Sequence, residues 1–143
     1  MGVMTVERRA HAAAVPTGYD PAVDTVRIAG AKETRVSFGD TLDRVEAGER
    51  TIVMQRNTVA FVLVSLPLYE RIQDEIGEPP RSQRDTVNVA LFRGEAWTPT
   101  LSAIASGKHI TVVRNSRPAA VAMPPARYSE YLVKIGEPAL ALD

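Results

Sequence analysis

The sequence Ile-Gly-Glu-Pro at residues 76–79 returns at residues 135–138, 59 positions further along the chain. The same spacing aligns all of residues 41–79 with residues 100–138 and needs no gap. The identities fall at glycines, in apolar runs and at one tyrosine of each copy, and they include Gly48 with Gly107, Val53 with Val112, Val62 with Val121, and Tyr69 with Tyr128. A repeat of this length predicts that the chain is built from two copies of one structural unit.

A single copy is expected to be only marginally stable alone. The chain has 143 residues, so each copy has roughly 50 to 60. A unit of that size buries only about 60% of the surface that its unfolded chain exposes, which leaves it marginally stable. We therefore expect the two copies to share a core, with the chain acting as a covalent pseudo-dimer.

The composition excludes several classes of protein. The chain contains no cysteine, so it can form neither disulfides nor thiolate metal sites. Its longest apolar stretch, residues 59–68, is about ten residues long and too short to span a bilayer. The N-terminal residues lack the charged, apolar and small-residue succession of a secretory signal. The sequence thus predicts a cytoplasmic protein with no membrane partner.

The formal net charge is zero, but the charges are unevenly distributed. Residues 24–79 contain seven Lys/Arg and ten Asp/Glu, whereas residues 81–134 contain eight and three. A basic second copy is compatible with a polyanionic partner, and equally with an ordinary solvated surface.

The start of each copy is less regular than its end. Residues 1–23 have no apolar periodicity and contain proline and glycine, which predicts a flexible N-terminal arm. Asp-Thr-Val at residues 24–26 then recurs at residues 85–87, with a spacing of 61. The first copy is therefore expected to carry two extra residues before its helix.

The first repeat, residues 24–79, predicts the order strand, helix, hairpin, helix. A short strand is expected at residues 26–28, and strands at residues 51–54 and 59–64 suit a hairpin. The second hairpin strand is apolar on both faces, so both sides of it should be covered. Apolar residues at helical spacing mark the helices, namely Phe38, Leu42 and Val45, then Tyr69, Ile72 and Ile76 after Pro67.

The second repeat, residues 86–138, has the same order after a polar linker at residues 80–85. Its predicted strands are residues 87–89, 110–113 and 119–123. Its helical stripes are Trp97, Leu101 and Ile104, then Tyr128, Tyr131 and Leu132 after Pro125. Pro99 is tolerated only in a first helical turn, so that helix should begin, or restart after a kink, at Thr98.

The sequence offers almost no catalytic chemistry. His11 lies in the predicted arm and His109 in a predicted turn, with no second histidine or cysteine to complete a metal site. The serines and carboxylates form no nucleophile and base pattern, and no glycine-rich phosphate loop is present. Tyr69 and Tyr128 are expected to pack with their hydroxyls reaching solvent. We therefore predict that the protein is not an enzyme and has no metal site or cofactor.

Two stretches of the chain carry a recognisable pattern. Residues 35–49 read Arg-Val-Ser-Phe-Gly-Asp-Thr-Leu-Asp-Arg-Val-Glu-Ala-Gly-Glu, and residues 113–128 end in Met-Pro-Pro-Ala-Arg-Tyr. The first resembles the helix, and the second the hairpin, of the Phd/YefM family of bacterial antitoxins. The resemblance covers residues 26–76 and 87–132. It implies an α/β (α+β) fold, in which tandem Phd/YefM-like β-α-β-β-α units pack as a single-chain pseudo-dimer.

The resemblance also implies how such a protein would bind. Paired units of the family bind operator DNA through an arginine early in the first helix and another at the hairpin turn. By position, the helix arginine is Arg35 in the first copy, and the second copy has Gly94 there. The hairpin arginine is Arg114 in the second copy, and the first copy has Gln55 there. Arginine is a planar donor that can hold a phosphate or a guanine edge. The candidate DNA-binding residues, with their neighbours included, are Arg35, Arg56, Arg93, Arg114 and Arg117.

The expected function is that of a transcriptional repressor, either the antitoxin of a type II toxin–antitoxin system or a regulator without the toxin-binding tail. Eleven residues follow Leu132 in this sequence, so the long toxin-binding tail of the family is not expected. Operator DNA is the expected partner, and a cognate toxin and a second copy of the chain stay open as further partners. The alternative is a protein-interaction module, binding a toxin or an assembly partner, that kept the fold without binding DNA.

Overall fold

The computed structural model describes residues 4–7 and 25–140 and shows a mixed α/β fold. Its strands are β1 (Met4–Glu7), β2 (Thr25–Gly30), β3 (Arg50–Gln55), β4 (Thr58–Val64), β5 (Arg84–Asn88), β6 (His109–Arg114) and β7 (Arg117–Met123). Its helices are α1 (Ala31–Val36), α2 (Phe38–Glu46), α3 (Leu66–Ile76), α4 (Val89–Arg93), α5 (Trp97–Ala105) and α6 (Pro125–Lys134), with a 3₁₀ turn at Arg81–Gln83. Both predicted hairpins are confirmed, as β3–β4 and β6–β7.

The strands of the described residues form one sheet in the order β1-β2-β3-β4-β7-β6-β5. The pairs β2–β3 and β5–β6 are parallel, because two helices cross over between the strands of each pair. The remaining pairs are antiparallel. The first half of the chain, β2 to α3, and the second half, β5 to α6, therefore contribute to a single continuous sheet.

The two halves meet where β4 pairs with β7. Leu63 lies opposite Ala122, and the flanking pairs are Val62 with Met123 and Val64 with Val121. Leu63 and Ala122 are separated by the repeat spacing of 59, so they are equivalent positions. An approximate two-fold axis therefore passes between these two residues and relates the halves.

Each face of the sheet carries a hydrophobic core. Phe61 and Leu63 of β4 face the core under α1, α2, α4 and α5. Val62 and Val64 of the same strand face the core under α3 and α6. The prediction that both sides of this strand are covered is confirmed. Both cores contain residues of both halves, as expected for units that are marginal alone.

The aromatic residues join the halves on the first face. Phe38 and Trp97, both predicted core residues, are buried at 0% and 5% exposure. Phe92 of the second half lies between them, with ring centroids 5.1 Å from Phe38 and 5.3 Å from Trp97. The helices of one half thus pack directly on those of the other.

The predicted offset between the first strands of the copies is wrong. Ile28 pairs with Ile52 and Thr86 pairs with Thr111, which makes Ile28 equivalent to Thr86, a spacing of 58 instead of 61. Val26 contributes to the core under α3 and α6, whereas Val87 packs on the opposite core. An odd shift in register moves a side chain to the other face, so the repeated Asp-Thr-Val is not a structural equivalence.

Several element boundaries in the structure differ from the predicted ones. Met4–Glu7, predicted as part of a flexible arm, forms β1, in which Val6 pairs with Val26. The rest of that arm lies outside the described residues. Arg84 and Asp85, predicted as linker, belong to β5 because they pair with β6. None of the helices in the described part of the chain is long and apolar enough to cross a membrane.

Two helices begin at residues other than those predicted. Val89, predicted as strand, begins α4 because the side chain of Asn88 accepts a hydrogen bond of 2.8 Å from the Leu91 amide. The helix predicted to begin at Thr98 begins one residue earlier, at Trp97, with Pro99 in its first turn as expected.

Candidate nucleic-acid interface

Arg35 and Arg93 reach across the approximate two-fold axis toward each other's helix. The Arg35 guanidinium donates from Nε to the Arg93 carbonyl at 2.8 Å and from NH2 to the Gly94 carbonyl at 3.0 Å. Arg93 donates from NH2 to the Val36 carbonyl at 3.3 Å. With the corrected spacing of 58, Arg93 and not Gly94 is the counterpart of Arg35, and the contacts are reciprocal. We call these two residues the arginine pair.

The arginine pair is held by the ends of two short helices. The last carbonyls of a helix have no partner within the helix, and they carry the negative end of its dipole. Guanidinium groups satisfy these carbonyls at the ends of α1 and α4. Arg35 also lies over the ring of Trp97, 5.4 Å from its centroid, a favourable position for a cation.

Both members of the pair remain exposed. A guanidinium has five N–H donors, and the contacts to carbonyls use two of them in Arg35 and one in Arg93. Two cations, each with N–H donors that no other described residue uses, therefore face solvent on either side of the axis. Such a surface can hold phosphate or carboxylate oxygens.

Arg114 and Arg117 are placed differently. Arg114 contacts Asp43 at 2.7 Å and Glu46 at 3.3 Å, and Arg117 contacts Glu46 at 3.3 Å. The hydrogen bond that Arg114 donates to the Asp43 carboxylate raises the pKa of the Arg114 guanidinium further above its ordinary value. These four residues, which we call the inter-half ion network, tie the second hairpin to α2 of the first half.

The inter-half ion network has no charged counterpart across the axis. The residues equivalent to Arg114 and Arg117 are Gln55 and Thr58, and those equivalent to Asp43 and Glu46 are Ser102 and Ala105. The second hairpin and α2, which contact each other, are therefore both charged. The first hairpin and α5, their equivalents, both lack charge at these positions. Part of the basic excess of the second copy is neutralised by the acidic excess of the first.

Arg56 lies apart from these groups, at the tip of the β3–β4 hairpin. It is exposed, and it has a φ of 53°, as expected for the first of the two central residues of a type I′ turn. The structure thus brings Arg35 and Arg93 together at the axis and Arg114 and Arg117 together over α2. It does not collect the five predicted arginines into one cluster.

Sequence reasoning missed a cavity of about 410 Å³ at the start of β6 and of α6, lined among others by His109 and Arg127. His109 was predicted in a turn, but it is the first residue of β6 and is 4% exposed. Its Nδ1 lies 2.7 Å from the Tyr69 hydroxyl, and Arg50 donates to the Tyr128 hydroxyl at the same distance. The expectation that these hydroxyls reach solvent is therefore wrong.

One sequence signal could have pointed to this cavity. In the aligned repeats, His109 stands opposite the larger Arg50, and the charged Arg127 stands opposite the apolar Leu68. The halves therefore differ in side-chain size at one of these positions and in polarity at the other. Among the described residues, no group of three or more metal-binding side chains is placed to hold an ion.

When the chain is compared with protein-family models, curated proteins and solved structures, nothing matches it.

Proposed function

We propose that the protein is a DNA-binding transcriptional repressor of the Phd/YefM antitoxin type, with tandem β-α-β-β-α units, the first helix of each divided in two, packed as a single-chain pseudo-dimer. It acts in the cytoplasm on operator DNA, without enzymatic activity or a cofactor. It is the antitoxin of a type II toxin–antitoxin system or a tail-less regulator derived from one. The observation that carries the proposal is the arginine pair, exposed and reciprocal about the approximate two-fold axis.

A two-fold arrangement of cations suits duplex DNA. Dimeric repressors place their symmetry axis on that of the operator, so equivalent side chains meet equivalent sites on the two strands. Arg35 and Arg93 are equivalent by structure and are positioned before any ligand arrives, which lowers the entropy that binding would cost. Because the hairpins carry different residues, the operator should be an imperfect palindrome.

The test is a gel-shift titration with duplex DNA from upstream of the protein's own gene. Arg35→Ala and Arg93→Ala should each weaken binding by about 1 to 3 kcal/mol and flatten the dependence of log K on log salt by about one unit. Arg71→Ala is the matched control, because Arg71 is an exposed arginine on α3, on the other face of the sheet. Equal losses in all three variants, or binding insensitive to salt, would contradict the proposal. Circular dichroism of each variant excludes unfolding as the cause of a loss.

The inter-half ion network favours a second candidate, a protein-interaction module that binds a toxin or an assembly partner. Arg114 and Arg117, two of the five predicted DNA contacts, face carboxylates of the same chain. Co-purification with the product of a neighbouring gene, together with no retardation of DNA at low salt, would support the module. A protein that purifies alone and retards DNA would exclude it.

A further inference from the structure

The cavity beside His109 lies between the segment that follows α3, the start of β6 and the first turn of α6. Its volume is about 410 Å³, within the range of small-molecule sites. Pro79, Pro80, Pro124 and Ala126 form apolar parts of its wall. His109 and Arg127 add two nitrogen-bearing side chains to the same wall.

His109 is oriented by a fixed partner. Its Nδ1 is 2.7 Å from the Tyr69 hydroxyl, so Nε2 is the ring nitrogen left for a ligand. Burial, followed by the charges of Arg127 and Arg84, lowers the pKa of His109 to about 4, and the ring is neutral at pH 7. An anion in the cavity selects the tautomer in which the tyrosine donates to Nδ1 and Nε2 carries the proton.

Arg127 is anchored and keeps its charge available. Its NH2 donates to the Gly77 carbonyl at 2.7 Å, and its NH1 contacts Glu130 at 3.2 Å. Glu130 is half exposed, so solvent screens this ion pair. Glu78, a carboxylate that does line the cavity, lies 3.5 Å from Arg84. The cavity therefore suits one added negative charge better than two.

The position related by the two-fold axis is occupied differently. There Arg50 replaces His109, is buried at 5% exposure and donates to the Tyr128 hydroxyl at 2.7 Å. Leu68 replaces Arg127 and is buried in the core. At these two equivalent positions the first half therefore has two buried side chains, Arg50 and Leu68, whereas in the second half His109 and the partly exposed Arg127 line the cavity.

We propose that this cavity binds a small organic acid, a single carboxylate attached to an apolar body. The carboxylate accepts hydrogen bonds from Arg127 and from Nε2 of His109, and the apolar body packs against the prolines and Ala126. The contact with Arg127 is a charge-assisted hydrogen bond, the stronger kind, and the contact with His109 is buried. The site is separate from the arginine pair, so it goes beyond the proposed repressor function and does not depend on it.

The probe is benzoate, with benzamide as its neutral isostere. The chain contains two histidines, so ¹⁵N-histidine spectra are simple, and a His11→Gln variant assigns them. Benzoate should shift the His109 resonances saturably and leave those of His11 unchanged. Benzamide should bind at least about tenfold more weakly, because it cannot form the charged contact with Arg127.

Arg127→Leu is the decisive variant, because it installs the residue that the first half already has at the equivalent position. It should weaken benzoate binding at least about tenfold, whereas Arg71→Leu on the exposed face of α3 should not change it. Thermal melts of both variants show that the fold is intact. No saturable shift at His109 with benzoate, or equal affinity of the wild type and Arg127→Leu, would overturn the proposal.

Discussion

Leu63 and Ala122 face each other across the β4–β7 pair. They are equivalent positions of the two halves, Leu63 in the first and Ala122 in the second. Both are fully buried in the core under α1, α2, α4 and α5. A pair on the approximate two-fold axis belongs to both halves at once. One side chain of the pair is large and the other small, and their combined volume therefore sets how closely the halves approach.

This pair yields the first prediction. Leu63→Ala should destabilise the protein by about 2 to 5 kcal/mol, because it leaves a cavity in a packed core. Ala122→Leu should cost about 1 to 3 kcal/mol by overpacking. The double variant L63A/A122L restores the volume across the axis and should be more stable than the sum of the single changes indicates. Urea denaturation followed by circular dichroism measures all three, and strict additivity would contradict the shared position.

The second prediction concerns His109. Its pKa is lowered to about 4 by burial, with Arg127 and Arg84 acting in the same direction, and Tyr69 is its other titratable neighbour. Below pH 6.5 the unfolded chain takes up a proton that the folded chain refuses. The contribution of His109 to the free energy of unfolding is therefore fully present above pH 6.5. It falls as the pH drops toward 4, by up to about 3 kcal/mol.

The control for the histidine is His109→Gln, which keeps an acceptor for the Tyr69 hydroxyl but does not titrate. Urea denaturation at pH 7 and at pH 4 should show a smaller loss of stability in this variant than in the wild type, because the glutamine at position 109 takes up no proton. The same loss in both proteins would show that the histidine is not protected in the folded state.

Much of the fold could be predicted from the repeat, because burial repeats with it. The helical stripe of Phe38, Leu42 and Val45 is buried on α2, and the doubly apolar strand lies between the two cores. The alignment failed where it rested on three identical residues in a row, at the first strand. Strand pairing, which depends on the faces of a sheet, decides that register instead.

The candidate sites were harder to predict, because they depend on contacts between the halves. Nothing near Arg114 in sequence shows that Asp43 and Glu46 lie beneath it, about seventy residues away. The exchange of carbonyl contacts between Arg35 and Arg93 also requires the axis between the halves to be known. The sequence indicated which residue types bind anions, but their partners follow from the tertiary structure alone.

The third prediction concerns the two hairpin turns. Asn115 and Ser116 have φ of 52° and 63°, as Arg56 and Asn57 have 53° and 65°. Ser116→Gly should stabilise the protein by about 0.5 kcal/mol, because glycine adopts this conformation without strain. Ser116→Val should destabilise it, and Asn57→Gly should have a smaller effect, since asparagine already tolerates positive φ. Denaturation midpoints that rank valine above glycine would contradict this reading of the turn.

The last prediction joins the inter-half ion network to the proposed function. If Asp43 and Glu46 neutralise Arg114 and Arg117, the double variant D43N/E46Q frees two cations and should strengthen DNA binding several-fold at low salt. The dependence of log K on log salt should steepen by about one to two units. D74N/E75Q makes the same change in net charge at exposed positions of α3 and is the matched control. Equal strengthening by both double variants would mean that overall charge, and not the release of these two arginines, governs the affinity.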